Sequence, residues 1–154
     1  MIYPQNFEEK IGFNDIRRLL KEHCLSPLGV ERVDRMAFCH DTRMLREWQE
    51  QTREFRRILE EEDGFPDENF YDVRPSLKRI RVEGTYLDEQ ELFDLKRSLE
   101  TIAGIVRFLQ KEDEEEEESG QGRSNGEGRY PALKRLAKDV AVFPALIQRI
   151  SSIL

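Results

Sequence analysis

Apolar positions recur every three or four residues along most of this 154-residue chain, and residues suited to capping stand between the runs. Asn6 with Glu9 reads as a capping box opening a short helix that Gly12 ends. Asn14 is placed to cap a second helix with Ile16, Leu19, Leu20 and Cys24 on one face. Ser26-Pro27 opens a third, with Leu28, Val33 and Met36 inward, which breaks near Phe38 to His40. Asp41 caps a longer helix whose Leu45, Trp48, Thr52, Phe55 and Leu59 keep alternating three-and-four spacing, a seam for another helix. Gly64 and Pro66 stop it, and a loop carrying Phe65, Phe70 and Tyr71 follows, expected to pin itself to the core by those rings.

Asp72 caps a short helix with Leu77 and Ile80 inward, which Gly84 closes. Asp88 with Glu91 forms a second capping box ahead of the clearest pattern in the chain: Leu92, Leu95, Leu99, Ile102, Val106 and Leu109. If that seam is core, replacing Leu99 by Ala costs about 2–5 kcal/mol. Residues 112–129 then read as a disordered loop, first acidic and then rich in Gly, Ser and Asn, because like charges at i,i+4 oppose a helix. Helices resume at Tyr130-Pro131, carrying Leu133 and Leu136, and at Pro144, carrying Ile147, Ile150, Ile153 and Leu154. The apolar ending is expected to mark a boundary inside a longer protein. Only residues 81–87 have a strand-like flavour, and Gly84 interrupts them. The expected fold is all-α: an irregular bundle of amphipathic helices forming one domain over residues 1–154.

Composition refines this picture. Hydrophobic residues make up 38% and charged residues 37%, which suits helices with one apolar stripe each rather than a sheet buried on both faces. No apolar stretch approaches the ~20 residues a membrane span needs, and the N-terminus lacks an export signal, so the expected location is cytoplasmic. The net charge of −7 is contained in the run Glu112 to Glu118; the remaining Asp and Glu equal the 25 Lys and Arg in number. The acidic total therefore carries no argument about a polyanionic partner.

Catalytic signatures are missing. The chain has no Walker-type phosphate loop, no dinucleotide-binding glycine pattern after a strand, no nucleophile elbow and no H-E-x-x-H. His23-Cys24 and Cys39-His40 hold the inventory of a zinc site, but neighbours on a helix point roughly 100° apart and the spacing matches no finger. Cys24 reads instead as a small buried hydrophobe and Cys39 as a loop thiol. No catalytic, cofactor-binding or metal-ligating residue is assigned. Three basic clusters remain: Arg17, Arg18 and Lys21; Arg53, Arg56 and Arg57; and Lys78, Arg79 and Arg81. Each could contact phosphate or be the solvated face of an amphipathic helix paired with nearby Glu, and for the second the solvated face wins, because Glu54 and Glu60 to Glu62 surround it. Lys78, Arg79 and Arg81 are the candidates for contact with nucleic acid.

Several runs together resemble a known family. Residues 11–20 (IGFNDIRRLL), 25–29 (LSPLG), 51–59, 72–77 (DVRPSL), 84–95 and 130–133 (YPAL) are similar in order and spacing to the opening of the type-two MutS proteins. These are bacterial MutS relatives without the mismatch-reading domain. Val30 stands where the family pattern has an arginine, and the acidic run looks like a local insertion. The resemblance implies the first part of a helical core and lever region. In the full-length protein it implies a homodimeric ATPase using ATP and Mg, usually with a C-terminal Smr nuclease domain, acting on branched DNA in recombination and repair or on stalled ribosomes. The partners of this segment would be the remaining domains of its own chain, the second subunit, and DNA or the ribosome through the full-length protein; no membrane is involved. The segment itself would be non-catalytic. The other readings are a stand-alone adaptor that binds a protein through the Leu92 to Leu109 seam, and a free-standing nucleic-acid binder.

Overall fold

The computed structural model describes residues 6–119 and 128–154, apart from the side chains of 111–119. Its helices, in chain order, are α1 (Phe7–Lys10), α2 (Phe13–Glu22), α3 (Pro27–Asp34), α4 (Thr42–Glu61), α5 (Arg74–Arg79), α6 (Glu89–Ser119), α7 (Pro131–Ala137) and α8 (Pro144–Ser151). No strand occurs among the described residues, so the fold is all-α.

Two of the expected caps form. The Asp41 carboxylate accepts from the N–H groups of Arg43 (2.8 Å) and Met44 (3.3 Å) at the start of α4. At α6 the Glu91 N–H donates to Asp88 (2.8 Å) while the Asp88 N–H donates to Glu91 (3.0 Å), a reciprocal box. Asp72 accepts from the Arg74 N–H at 3.2 Å, one residue ahead of the N-cap position of α5. The first two helices correct the expectation. Asn6 stands at the N-cap of α1 with φ −108° and ψ 25°, outside the extended geometry that aims a cap side chain at the helix, and makes no capping bond. Asn14 lies inside α2, whose N-cap is Gly12, and its side chain accepts from Arg17 instead.

The core is small. Ile58 of α4, Leu109 of α6 and Tyr130 before α7 are buried together, with Phe65, Ile105, Phe108, Leu133 and Ala137 packed around them. Rings continue the cluster: Phe55 meets Phe65 edge-on at 5.3 Å, Phe65 meets Phe108 edge-on at 5.3 Å, and Phe108 stacks on Tyr130 at 6.5 Å. Phe65 thus pins its loop to the core, whereas Tyr71 stays exposed, its hydroxyl donating to Asn69.

The loop between α4 and α5 explains why α6 does not bury its expected stripe. Leu95 and Leu109 are buried, but Ile102 is 37% exposed and the buried line passes through Ser98 and Thr101. Those hydroxyls donate to the carbonyls of Asn69 (3.4 Å) and Glu68 (3.0 Å), satisfying backbone groups that an apolar stripe would leave orphaned. Gly104 completes the seat, since a Cβ there would come within 3.2 Å of Pro66. Helix α6 then runs to Ser119, through acidic residues the sequence assigned to a loop beginning at 112. Extending an established helix costs far less than starting one, and glutamate is a good helix former. The rest of the expected loop, at 120–127, lies outside the described residues.

Helix α4 also departs from expectation, turning Glu54 and Ile58 inward and leaving Leu45, Trp48, Phe55 and Leu59 exposed. The cause lies at α7. It begins at Pro131, has no capping side chain at Tyr130, and presents the N–H groups of Ala132 and Leu133 to the interior. The buried Glu54 carboxylate accepts both, at 3.0 and 2.8 Å. Helices α1 to α3 form a separate cluster with no buried residue, α2 packing on both α1 and α3. Arg17 ties it together by donating to Glu8 and to the Met36 carbonyl and by lying 4.8 Å from the Phe13 ring centre.

Replacing Glu54 by Ala leaves two orphaned amides in the interior and is expected to cost about 2–4 kcal/mol in urea unfolding. The same change at exposed Glu50 should stay within about 0.5 kcal/mol, so equal effects would contradict the buried cap. Glu91 gives a pH prediction. The Asp88 N–H, then the Ser76 hydroxyl and Arg79, hold its carboxyl below the ordinary 4.5. A depressed folded-state value means that this stabilisation is present above pH 4.5 and is lost as pH falls through the folded value. The stability gap between the wild type and Glu91→Gln should therefore be constant from neutrality down to that region and shrink below it; a gap undiminished in strong acid would refute the assignment.

Candidate functional site

The three basic clusters meet different fates, decided by the carboxylates around them. Arg18 pairs with Glu22 (2.9 Å) and Asp15 (3.9 Å), Lys21 pairs with Asp34 across to α3, and Arg17 is engaged as described. Arg53 pairs with Glu50 (2.6 Å), Arg56 with Glu60 (3.1 Å) and Arg57 with Glu61 (3.4 Å), while Arg57 also faces the Tyr130 ring. These two clusters are solvated or structural faces. Glu54 is not among their partners, contrary to the sequence reading, because it is the buried cap of α7.

The third cluster sits on a projecting turn. Helix α5 and the segment to Leu87 stand almost wholly in solvent, with Val82 at 62% and Tyr86 at 80% exposure. The turn is nevertheless well fastened. Gly84 takes φ +81°, where a side chain would strain the backbone, and the Thr85 hydroxyl is within bonding distance of the carbonyls of Val82 (2.7 Å) and Arg79 (3.0 Å). Arg79 donates to the Tyr86 carbonyl at 3.1 Å and to Glu91, which also accepts from Ser76 at 2.8 Å. So Arg79 is a structural strut between α5 and the start of α6. Lys78 and Arg81 are exposed and have no ion-pair or hydrogen-bond partner among the described residues. The structure therefore splits the predicted trio, with Arg79 spent on the fold and Lys78 and Arg81 left facing water beside the Tyr86 turn.

Arg74 joins this region to the N-terminal helices. It reaches Glu31 of α3 at 2.5 and 3.1 Å and Asp72 at 2.7 Å, and its hydrogen bonds hold both carboxyls below the usual range. No local signal in the sequence announces this pair, whose partners stand 43 positions apart. Both cysteines are free thiols. The Cys24 Sγ lies 3.3 Å from the Leu20 carbonyl and packs beside Gly29, while that of Cys39 lies 3.7 Å from the Asp41 carbonyl. Among the described residues no three His, Cys, Asp or Glu side chains gather as a metal set would require, and no helix is long and apolar enough to cross a membrane.

Comparison with known proteins supplies the remaining observation. The chain is 29% identical over 140 residues to Endonuclease MutS2 of Geobacillus sp. (strain WCH70), covering 91% of this chain and 16% of that protein. It is 27% identical over 131 residues to Endonuclease MutS2 of Alkaliphilus oremlandii (strain OhILAs), covering 85% of this chain and 15% of that one. With Endonuclease MutS2 of Geobacillus kaustophilus (strain HTA426) identity reaches 34% over 99 residues, covering 64% of this chain and 12% of the relative. No family model matches the chain, and no solved structure matches it. The chain spans about one-sixth or less of the length of these relatives, and over most of its own length it is similar to part of a MutS2 protein.

Proposed function

We propose that this chain is the first helical core and lever segment of a MutS2-type homodimeric ATPase, acting on branched DNA or on stalled ribosomes and coupling ATPase movements to the nucleic-acid clamp. The observation that carries this reading is the match over 91% of the chain to 16% of a relative named as an endonuclease. ATP and Mg would belong to the full-length protein, as would the nuclease chemistry; neither is assigned to a residue here. The physical character of the helices supports a coupling role. A core of few side chains holds them, and large apolar residues lie open along α2, α4 and α8. Monomers that work alone rarely leave so much apolar surface uncovered. Such a segment is cytoplasmic and works through the remaining domains and the second subunit.

Direct contact with DNA belongs in this reading to Lys78 and Arg81, whose charges are not spent on partners within the chain. The purified chain is expected to hydrolyse no ATP and to leave four-way-junction DNA uncut. Hydrolysis above background that a substitution within these residues abolishes would overturn the non-catalytic assignment. In fluorescence anisotropy at low salt, junction binding should weaken in the double variant Lys78→Glu/Arg81→Glu. The slope of log affinity against log salt should then flatten by about 2, as two phosphate contacts are lost. An unchanged slope would remove both residues from the interface.

A further inference from the structure

Among the described residues the exposed stripe on α4 has no helix seated on it, its one ring contact being the edge of Phe55 against Phe65. Leu45, Trp48, Thr52, Phe55 and Leu59 keep the spacing that seats knobs of one helix into holes of another, yet Trp48 is 45% and Leu59 59% exposed. The two flanks of the stripe differ. One carries Glu47, Glu54 and Ile58, already held by Arg135, by the α7 amides and by the core. The other carries Arg46, Gln49, Arg53, Arg56 and Glu60, a basic border along an open groove. Arg46 has no partner among the described residues, and the pairs of Arg53 and Arg56 are exposed contacts within the helix, which exchange readily.

We infer that this stripe seats an amphipathic helix with apolar a and d positions and an acidic flank, supplied by another part of a MutS2-type polypeptide. The inference rests on the functional reading above. Its source is argued from length, since the relatives extend far beyond the stretch matched here. A second copy of α4 laid antiparallel fits poorly. An antiparallel pair would set the arginine borders face to face and drive the two α7 helices together on the other side. A heterologous helix bearing Glu or Asp meets Arg46, Arg53 and Arg56 with opposite charge and leaves α7 in place.

Trp48 is the single tryptophan of the chain, so its emission reads the seam directly. A synthetic helical peptide with Leu at a and d and Glu on its flanks should shift that emission to the blue, saturably. The same peptide with Lys flanks should bind about tenfold more weakly, as three helix-flank pairs become repulsive. The variant Arg53→Glu/Arg56→Glu should reverse the preference; equal affinity for both peptides, or no reversal, would overturn the inference. So would an emission shift that grows with protein concentration in the absence of peptide, which would make the occupant a second copy. To fix the source, a benzoylphenylalanine photo-cross-linker at Thr52 in cells should attach to an acidic-flanked helix of a MutS2-type polypeptide, and attachment to α4 of another copy or to an unrelated protein would refute it. ATP hydrolysis by the chain would overturn the non-catalytic assignment without moving the peptide results, and an indifferent seam would sink only this inference.

Discussion

Helix α7 begins Tyr130-Pro131, a start that offers no hydroxyl or carboxylate of its own to the amides of Ala132 and Leu133. A helix end that faces the interior needs an acceptor, and Glu54 of α4 provides it with both oxygens. A buried carboxylate is tolerated there because two N–H donors and the positive end of the helix dipole surround it. The contact fixes how α4 is rotated. With Glu54 turned inward, Ile58 one turn on enters the core and Tyr130 lies against Phe108, its hydroxyl donating to Glu62 at 3.1 Å. The same rotation carries Leu45, Trp48, Phe55 and Leu59 outward. One polar interaction thus decides which face of α4 enters the core and which is left open.

Cohesion is divided unequally. Around Ile58, Leu109 and Tyr130 it comes from apolar burial, roughly 1.5–3 kcal/mol for each large side chain before ordering costs. In α1 to α3 no side chain is buried, and Arg17, Lys21 and Arg74 supply ties that span helices or cross to the α5 region. Exposed ion pairs of this kind contribute little each, so the N-terminal cluster is held to the rest more loosely than the helices around Glu54 are held to one another.

Local signals were the legible ones. The Asp41 cap and the Asp88–Glu91 box are settled within four residues, and Ser26-Pro27 and Gly64 mark ends that the chain obeys, whereas α5 stops at Arg79, short of the expected Gly84. Asn6 and Asn14 carried the same letters, but a cap also needs backbone geometry that a sequence does not display. Periodicity gave the helices but not which stripe is covered. That depends on long-range partners: the Asn69 and Glu68 carbonyls over Ser98 and Thr101, and the α7 amides over Glu54. The missing cap at Tyr130-Pro131 was the one signal that could have announced a distant acceptor. At the candidate site, the sequence found the basic trio but could not separate Arg79 from its neighbours, because Glu91 and the Tyr86 carbonyl reach it only once the turn has formed.

The most direct measurement of this account is residue-resolved amide hydrogen exchange on the purified chain. If Glu54 organises the structure, the amides of Ala132 and Leu133 exchange only with global unfolding, as slowly as those around Ile58 and Leu109, while the amides of α1 to α3 exchange through local opening and much faster. Ala132 and Leu133 exchanging as quickly as the N-terminal helices would contradict it.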